Sequence, residues 1–234
     1  MERSHAVAAE KVSKTFILHN LRSRIPALRD VSFALPFGEC LAVSGPSGAG
    51  KSTLLRCLYG NCLASSGSIL VSHLGGILDV ALASPREILA LRERTVSYVS
   101  QFLRVIPRVS ALEIVSAPLA KSGLAPGEAR EKAAALLARL NIPSRLFALP
   151  PMTFSGGERQ RVNIARGLVR EAPIILLDEP TASLDRANRR IAVDLIVEAK
   201  GRGAAVVGIF HDREVQEALA DHVLELPAVP CAEG

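Results

Sequence analysis

Hydrophobic positions change their spacing along the chain. In the first hundred residues they mostly alternate with polar ones or form short solid runs, which is typical of strands. This pattern predicts strands at 7–13, 27–34, 40–44 and 96–99, and a strand pair with a Gly75-Gly76 turn within 67–80. Apolar residues three and four apart predict helices at 51–59 and 85–94.

The middle of the chain, about residues 102–170, carries helical spacing and little strand signal. Helices are predicted at 110–117, 126–140 and 156–170. The last third alternates strands (174–177 and 204–210) with helices (189–200 and 213–220). Because alternating strands and helices favour a parallel sheet with right-handed crossovers, the whole pattern predicts an α/β protein with a mixed sheet and an inserted helical lobe.

Composition narrows the class of protein. The chain has 234 residues, of which 49% are hydrophobic and 22% charged, and this suits a globular fold with a sizeable core. The net charge of +5 is spread along the chain and aromatic residues make up only 4%, so no nucleic-acid partner is expected. No apolar run approaches the roughly 20 residues that span a bilayer. A cytoplasmic protein without direct membrane insertion is therefore expected.

The four cysteines show no paired CxxC spacing, so we expect reduced, small hydrophobic side chains rather than a metal site or a disulfide. They are Cys40, Cys57, Cys62 and Cys231.

One segment indicates phosphate binding. A predicted strand, the pattern GxxxxGK[ST] and a predicted helix follow each other directly, as a phosphate-binding loop requires. Glycines allow successive N–H groups to point at phosphate oxygens, Lys51 can reach the β- and γ-phosphates, and the Ser52 hydroxyl can bind Mg²⁺. The candidate residues are Gly45, Pro46, Ser47, Gly48, Ala49, Gly50, Lys51, Ser52 and Thr53.

Two carboxylates follow the apolar run 174–177. At the carboxyl end of a parallel strand, Asp178 can hold Mg²⁺ through water, and Glu179 can orient or deprotonate an attacking water. Taken alone, the pair could equally cap a helix.

Further segments, in matching order, make the whole chain similar to the ATP-binding-cassette (ABC) ATPases. Phe154-Ser155-Gly156-Gly157-Glu158 resembles the family's signature, with glutamate where glutamine is usual, and Ser183-Leu184-Asp185 resembles its D-loop. Gln101 and His211 match the Q-loop glutamine and the switch histidine, although each alone is more often a structural residue. Phe16 resembles the aromatic residue that stacks on adenine; it could instead belong to the core, and His19 could lie near the base.

This resemblance implies a fold and a mechanism. It implies one ABC-type P-loop nucleotide-binding domain over 1–234, with a RecA-like core, an antiparallel β subdomain and a helical subdomain at about 102–170. It implies ATP and Mg²⁺ as ligands, and a homo- or heterodimer that encloses two ATP molecules and hydrolyses them. The implied catalytic residues are Glu179, His211 and Gln101, and the implied metal-binding residues are Ser52, Gln101 and Asp178. Further nucleotide contacts are implied for Ser155, Gly156, Gly157, Glu158 and Asp185.

A finer resemblance concerns the partner. The segments VSQFLRVIPRVSALEIV, TFSGGERQRVNIARG and VGIFHD resemble the L subunit of the bacterial phosphonate carbon–phosphorus lyase system. That resemblance implies an accessory ATPase bound to the lyase core complex. Two alternatives use the same residues: the ATP-binding subunit of an ABC membrane transporter, in which the segment after Gln101 would seat a membrane coupling helix, and a clamp that binds ATP and hydrolyses it rarely.

Overall fold

Nine strands and seven α-helices make up the described part of this computed structural model, which is residues 5–18, 23–103 and 107–228. The strands are β1 (His5–Leu18), β2 (Ser23–Pro36), β3 (Cys40–Ser44), β4 (Ser66–His73), β5 (Gly76–Asp79), β6 (Val96–Val99), β7 (Ile174–Asp178), β8 (Ala205–Ile209) and β9 (His222–Glu225). The helices are α1 (Lys51–Leu58), α2 (Pro85–Arg94), α3 (Ala111–Lys121), α4 (Pro126–Arg139), α5 (Gly156–Leu168), α6 (Arg186–Gly201) and α7 (Arg213–Leu219). Short 3₁₀ turns at Ser144–Leu146 and Pro151–Thr153 connect α4 to α5.

The strands form two separate sheets rather than the mixed sheet that the strand pattern alone predicted. This agrees with the antiparallel β subdomain and the RecA-like core that the family resemblance implied. One is antiparallel, in the order β2-β1-β4-β5, and the other is parallel, in the order β6-β7-β8-β3-β9. Strands β7 and β8 are buried along their whole length, because apolar layers cover both faces of the parallel sheet. One layer lies under the antiparallel sheet, α1 and α2, and the other lies under α3 to α7.

Several element bounds differ from the sequence-based prediction. Strands β1 and β2 extend beyond the predicted ranges 7–13 and 27–34, since Leu18 pairs with Ser23 in the ladder. Helix α3 continues past residue 117, with Pro118 inside it, and α5 ends at Leu168. Strand β9 had not been predicted. Cys231 and His19 lie outside the described residues.

Three helices begin at the same local motif. Ser84, Ser110 and Ser155 are the N-caps of α2, α3 and α5, and each exchanges hydrogen bonds with a glutamate three residues later. This capping box satisfies backbone N–H groups that the first helical turn cannot pair. It fixes the start of α5 at the glycine pair of the signature segment.

Candidate functional site

The glycine loop joins β3 directly to α1 and has a backbone that only glycine adopts readily. Gly45, Gly48 and Gly50 all have positive φ angles. Gly50 is the N-cap of α1 with φ 91°, and a Cβ atom there would lie 2.0 Å from the carbonyl oxygen of Ala27. Any side chain at this position would therefore displace the loop or β2.

Positive charge is concentrated at the loop. The Lys51 ammonium donates hydrogen bonds to the carbonyl oxygens of Gly45 (2.7 Å) and Pro46 (2.9 Å), which hold it at the loop. Helix α1 has no acidic residue in its own first turn, so its own side chains do not neutralise the positive end of its dipole. Pro46, Ser47 and Gly48 are exposed, which leaves the loop open to a polyanion.

Asp178 is the last residue of β7 and is 3% exposed. The Ser52 hydroxyl donates to its Oδ1 (3.0 Å) and the Tyr98 hydroxyl donates to its Oδ2 (2.9 Å). Burial and the adjacent carboxylate raise the pKa of Tyr98, so the phenol stays protonated and keeps donating. Tyr98 was not among the predicted site residues, although its place near the end of the predicted strand before Gln101 was a usable signal.

The donor set around Asp178 suits Mg²⁺. A carboxylate and a hydroxyl are hard oxygen ligands, and Mg²⁺ commonly combines one or two such groups with the phosphates of its substrate. Among the described residues no cluster of three or more histidine, cysteine or acidic side chains forms a metal site. The carboxylate of Asp178 and the hydroxyl of Ser52 fit a metal that a nucleotide also holds.

Glu179 occupies the centre of a second cluster. His211 Nε2 lies 2.7 Å from its Oε1, and Gln101 Nε2 donates to its Oε2 (3.1 Å). These three residues follow the ends of β6, β7 and β8, which are neighbouring strands, so the parallel sheet brings them together. Glu179 has φ 52°, a left-handed conformation that costs about 1–3 kcal/mol for a non-glycine residue and is often retained at functional sites.

The signature residues are arranged separately from this cluster. Ser155 and Glu158 hydrogen-bond each other, and this contact lowers the pKa of the Glu158 carboxyl. Around Gly156, which is exposed, an added Cβ atom would meet no described atom within 4 Å, whereas one on Gly157 would lie 3.2 Å from the Ser183 carbonyl oxygen.

The remaining predicted site residues have structural contacts of their own. Asp185 caps α6 by accepting a hydrogen bond from the Asn188 N–H, which lowers the pKa of Asp185. Phe16 is 40% exposed on β1, with the Lys14 ammonium 5.0 Å from its ring centroid. Ala49 is buried beneath the glycine loop, and Thr53 is half-buried on α1. The nucleotide roles of these residues remain predictions.

A glycine loop between a parallel strand and a helix, with two acids at the end of a nearby strand, defines a P-loop nucleoside triphosphatase. A sequence profile described as ABC transporter matches residues 28–182. The chain therefore belongs to the ABC transporter family and is an ABC ATPase, and the expected fold class is confirmed. The fold is the ABC-type cassette, with its antiparallel and parallel sheets and its group of helices.

Two similar proteins are ATP-binding proteins of a lipoprotein-releasing system and of macrolide export. The chain is 38% identical over 221 residues to the lipoprotein-releasing system ATP-binding protein LolD of Legionella pneumophila (strain Paris), covering 94% of each protein. It is 38% identical over 204 residues to the macrolide export ATP-binding/permease protein MacB of Hyphomonas neptunium, covering 87% of this chain and 31% of MacB.

Solved structures agree with this assignment. The dimeric structure of MJ0796, a bacterial ABC transporter cassette, superposes with a TM-score of 0.85 and 28% identity, covering 94% of each chain. A dimeric post-hydrolysis state of the same cassette, bound to ADP and Pi, superposes with a TM-score of 0.86 and 28% identity, covering 97% of this chain and 99% of that one.

The finer resemblance to the phosphonate lyase subunit receives no support from these matches, and they favour the transporter alternative. None of the described helices is both long and apolar enough to cross a membrane.

Proposed function

We propose that this chain is the ATP-binding subunit of an ABC membrane transporter and hydrolyses ATP as a dimer with two shared sites. The observation that carries this proposal is the 38% identity to LolD over 94% of both proteins. The same match supports treating residues 1–234 as one ABC ATPase domain, with the helical part at about 102–170 inserted in it.

The site residues have complementary tasks in this proposal. Lys51 and the N–H groups of the glycine loop would hold the phosphates of ATP, and Ser52, Gln101 and Asp178 would hold Mg²⁺. Bound Mg²⁺ supplies charge neutralisation on the phosphate oxygens. Glu179 either accepts a hydrogen bond from the attacking water and orients it, or takes a proton from it.

Two neighbours fix the orientation of Glu179. His211 at 2.7 Å and Gln101 at 3.1 Å contact different oxygens of its carboxylate, so the group is held from two sides before the substrate arrives. This arrangement supports the catalytic roles proposed for all three residues.

A second subunit would complete each site. Ser155, Gly156, Gly157 and Glu158 begin α5 on a surface that is open above Gly156. Ser155 and Glu158 hydrogen-bond to each other rather than to the phosphate loop. The positive N-terminal end of α5 suits the γ-phosphate of an ATP held by the opposite subunit. Asp185 would lie at the same contact, and Phe16 would stack on adenine.

The catalytic part of the proposal is tested with Glu179→Gln. This change removes the carboxylate but keeps the shape of the side chain, so we expect an ATP-bound dimer with little phosphate release. Sedimentation with and without ATP measures the dimer, and a phosphate assay measures turnover. Rapid turnover by this variant would contradict the role of Glu179, and failure of this variant to dimerise with ATP would contradict the shared site.

Binding of a membrane permease is tested by changing a residue of one cavity. This cavity has a volume of about 560 Å³ and lies between α2, β6, α3 and α5. Its wall combines the exposed apolar side chain of Leu89 with basic groups such as Lys121 and Arg166, which suits an amphipathic segment of a permease. We expect the wild-type chain to co-purify with a membrane permease and Leu89→Glu to lose it. Leu82→Glu is the matched control, because Leu82 is 84% exposed and does not line this cavity. Co-purification with phosphonate lyase subunits instead would favour the accessory role and contradict the transporter.

A further inference from the structure

One face of α5 lies along the loops that carry the catalytic groups. Gly157 packs against the Ser183 carbonyl, and a Cβ atom on Gly167 would overlap the side chain of Val99. Gln160 and Asn163 lie between these two glycines. Positions 157, 160 and 163 contact the loops after β7 and β6, and position 167 contacts the end of β6, so one face of α5 makes a contact about once per helical turn.

The two middle residues are amides, and both are buried. Gln160 is 5% exposed, and its Nε2 donates to the carbonyl oxygen of Pro180 (2.8 Å), the residue that follows Glu179. Asn163 is 1% exposed, and its Nδ2 donates to the carbonyl oxygen of Ser100 (2.5 Å), the residue that precedes Gln101. One helix thus holds the backbone beside Glu179, which contacts the attacking water in the proposed mechanism, and beside Gln101, which hydrogen-bonds to Glu179.

Packing alone does not explain these amides. The Oδ1 atom of Asn163 is buried and has no hydrogen-bond partner among the described residues, which destabilises the fold. A leucine of similar size would remove that unsatisfied acceptor. A buried polar group that is only partly satisfied is a common feature of functional sites.

The Gln160 hydrogen bond lies next to a strained backbone conformation at Glu179. Glu179 adopts φ 52° immediately before Pro180, so the surrounding structure must hold it in a sparsely populated conformation. The hydrogen bond from Gln160 holds the peptide group between Pro180 and Thr181, and the proline ring, which restricts φ, links that group to the backbone of Glu179.

We propose that Gln160 and Asn163 are positioning residues that tie the geometry of Glu179 and Gln101 to the helix starting at Ser155. The inference rests on the proposed shared site, in which Ser155 and its neighbours contact the nucleotide of the opposite subunit. Closure of one site then aligns the catalytic groups of the other through a single rigid helix, and neither amide touches ATP.

The test uses the full chain carrying Asn163→Leu, Asn163→Ala or Gln160→Met. Each change removes an amide donor and keeps a residue that a helix tolerates; the alanine variant covers the case in which leucine misfolds. Ile164→Val is the matched control, because Ile164 is equally buried on α5 and makes no side-chain hydrogen bond. Phosphate release against MgATP concentration gives kcat and KM, and thermal unfolding gives Tm.

We expect kcat to fall by about tenfold or more, because misplaced catalytic groups lose their orientation, while KM stays within about twofold. In the Glu179→Gln background the same changes should leave ATP-dependent dimerisation intact, because the phosphate loop and the signature are untouched. A kcat within about twofold of wild type for both Asn163→Leu and Gln160→Met would overturn the inference. The inference would also be overturned if kcat fell only in proportion to the fall in Tm and Ile164→Val showed an equal loss.

The wild-type chain distinguishes a failure of the positioning roles from a failure of the shared site. If it dimerises with ATP and hydrolyses it while the amide variants behave normally, only the positioning roles are refuted. If it does neither, the shared site is refuted and this inference with it.

Discussion

Replacing Tyr98 by phenylalanine removes one of the two hydroxyl donors that satisfy the buried carboxylate of Asp178. The hydroxyl lies 2.9 Å from Asp178 Oδ2, and the carboxylate is 3% exposed, so little water can take its place. A hydrogen bond to a charged group is worth about 1.5–3 kcal/mol. For a domain of this size 1 kcal/mol corresponds to about 2–4 °C, so we expect Tm to fall by roughly 3–12 °C.

Tyr59 provides a matched control for this variant. Its ring packs against that of Tyr98 with centroids 5.1 Å apart, and its hydroxyl makes no hydrogen bond within the described part of the chain. Tyr59→Phe keeps the ring contact and removes only the hydroxyl, so its Tm should stay within about 2 °C of wild type. Thermal and urea unfolding without nucleotide measure both variants. Equal losses for the two, or no loss for Tyr98→Phe, would refute the assignment of this hydrogen bond to the stability of the site.

Two further predictions concern charge. Lys51→Ala removes the ammonium from the glycine loop, so we expect ATP binding to be abolished in a fluorescent-nucleotide titration, and unchanged affinity would contradict the phosphate role. Hydrogen bonds from the N-cap serines lower the pKa of Glu87, Glu113 and Glu158 below the ordinary value of 4.5. Their contribution to stability is therefore fully present above pH 4.5 and is lost as the pH falls through the lowered folded-state pKa values. Glu158→Gln cannot titrate at this position and should lose less stability on acidification in circular dichroism melts; an equal loss would show that its capping box does not contribute.

Local sequence patterns predicted the bounds of helices and strands correctly where the signals that start and end the element lie within or beside it. Residues 40–44, 85–94 and 96–99 form the predicted elements with the predicted bounds, because each is a short run with its own boundary signals. Strand β9 carries no such signal. Three of its four side chains are exposed, and it is held by pairing with β3 at the sheet edge, a contact between residues about 180 positions apart.

Sequence by itself determined the chemistry of the site: the glycine loop with Lys51, the acid pair after an apolar strand, and the glycine pair of the signature. These follow from residue types at fixed spacing, since phosphate binding at a helix N-terminus needs only neighbouring residues. Tertiary structure decided which distant residues act together. The order of β6, β7 and β8 brings Gln101, Glu179 and His211 into contact, and the packing of α5 brings Gln160 and Asn163 against the loops beside them. Such pairings depend on how strands and helices pack against each other, and short-range sequence patterns contain no information about that packing.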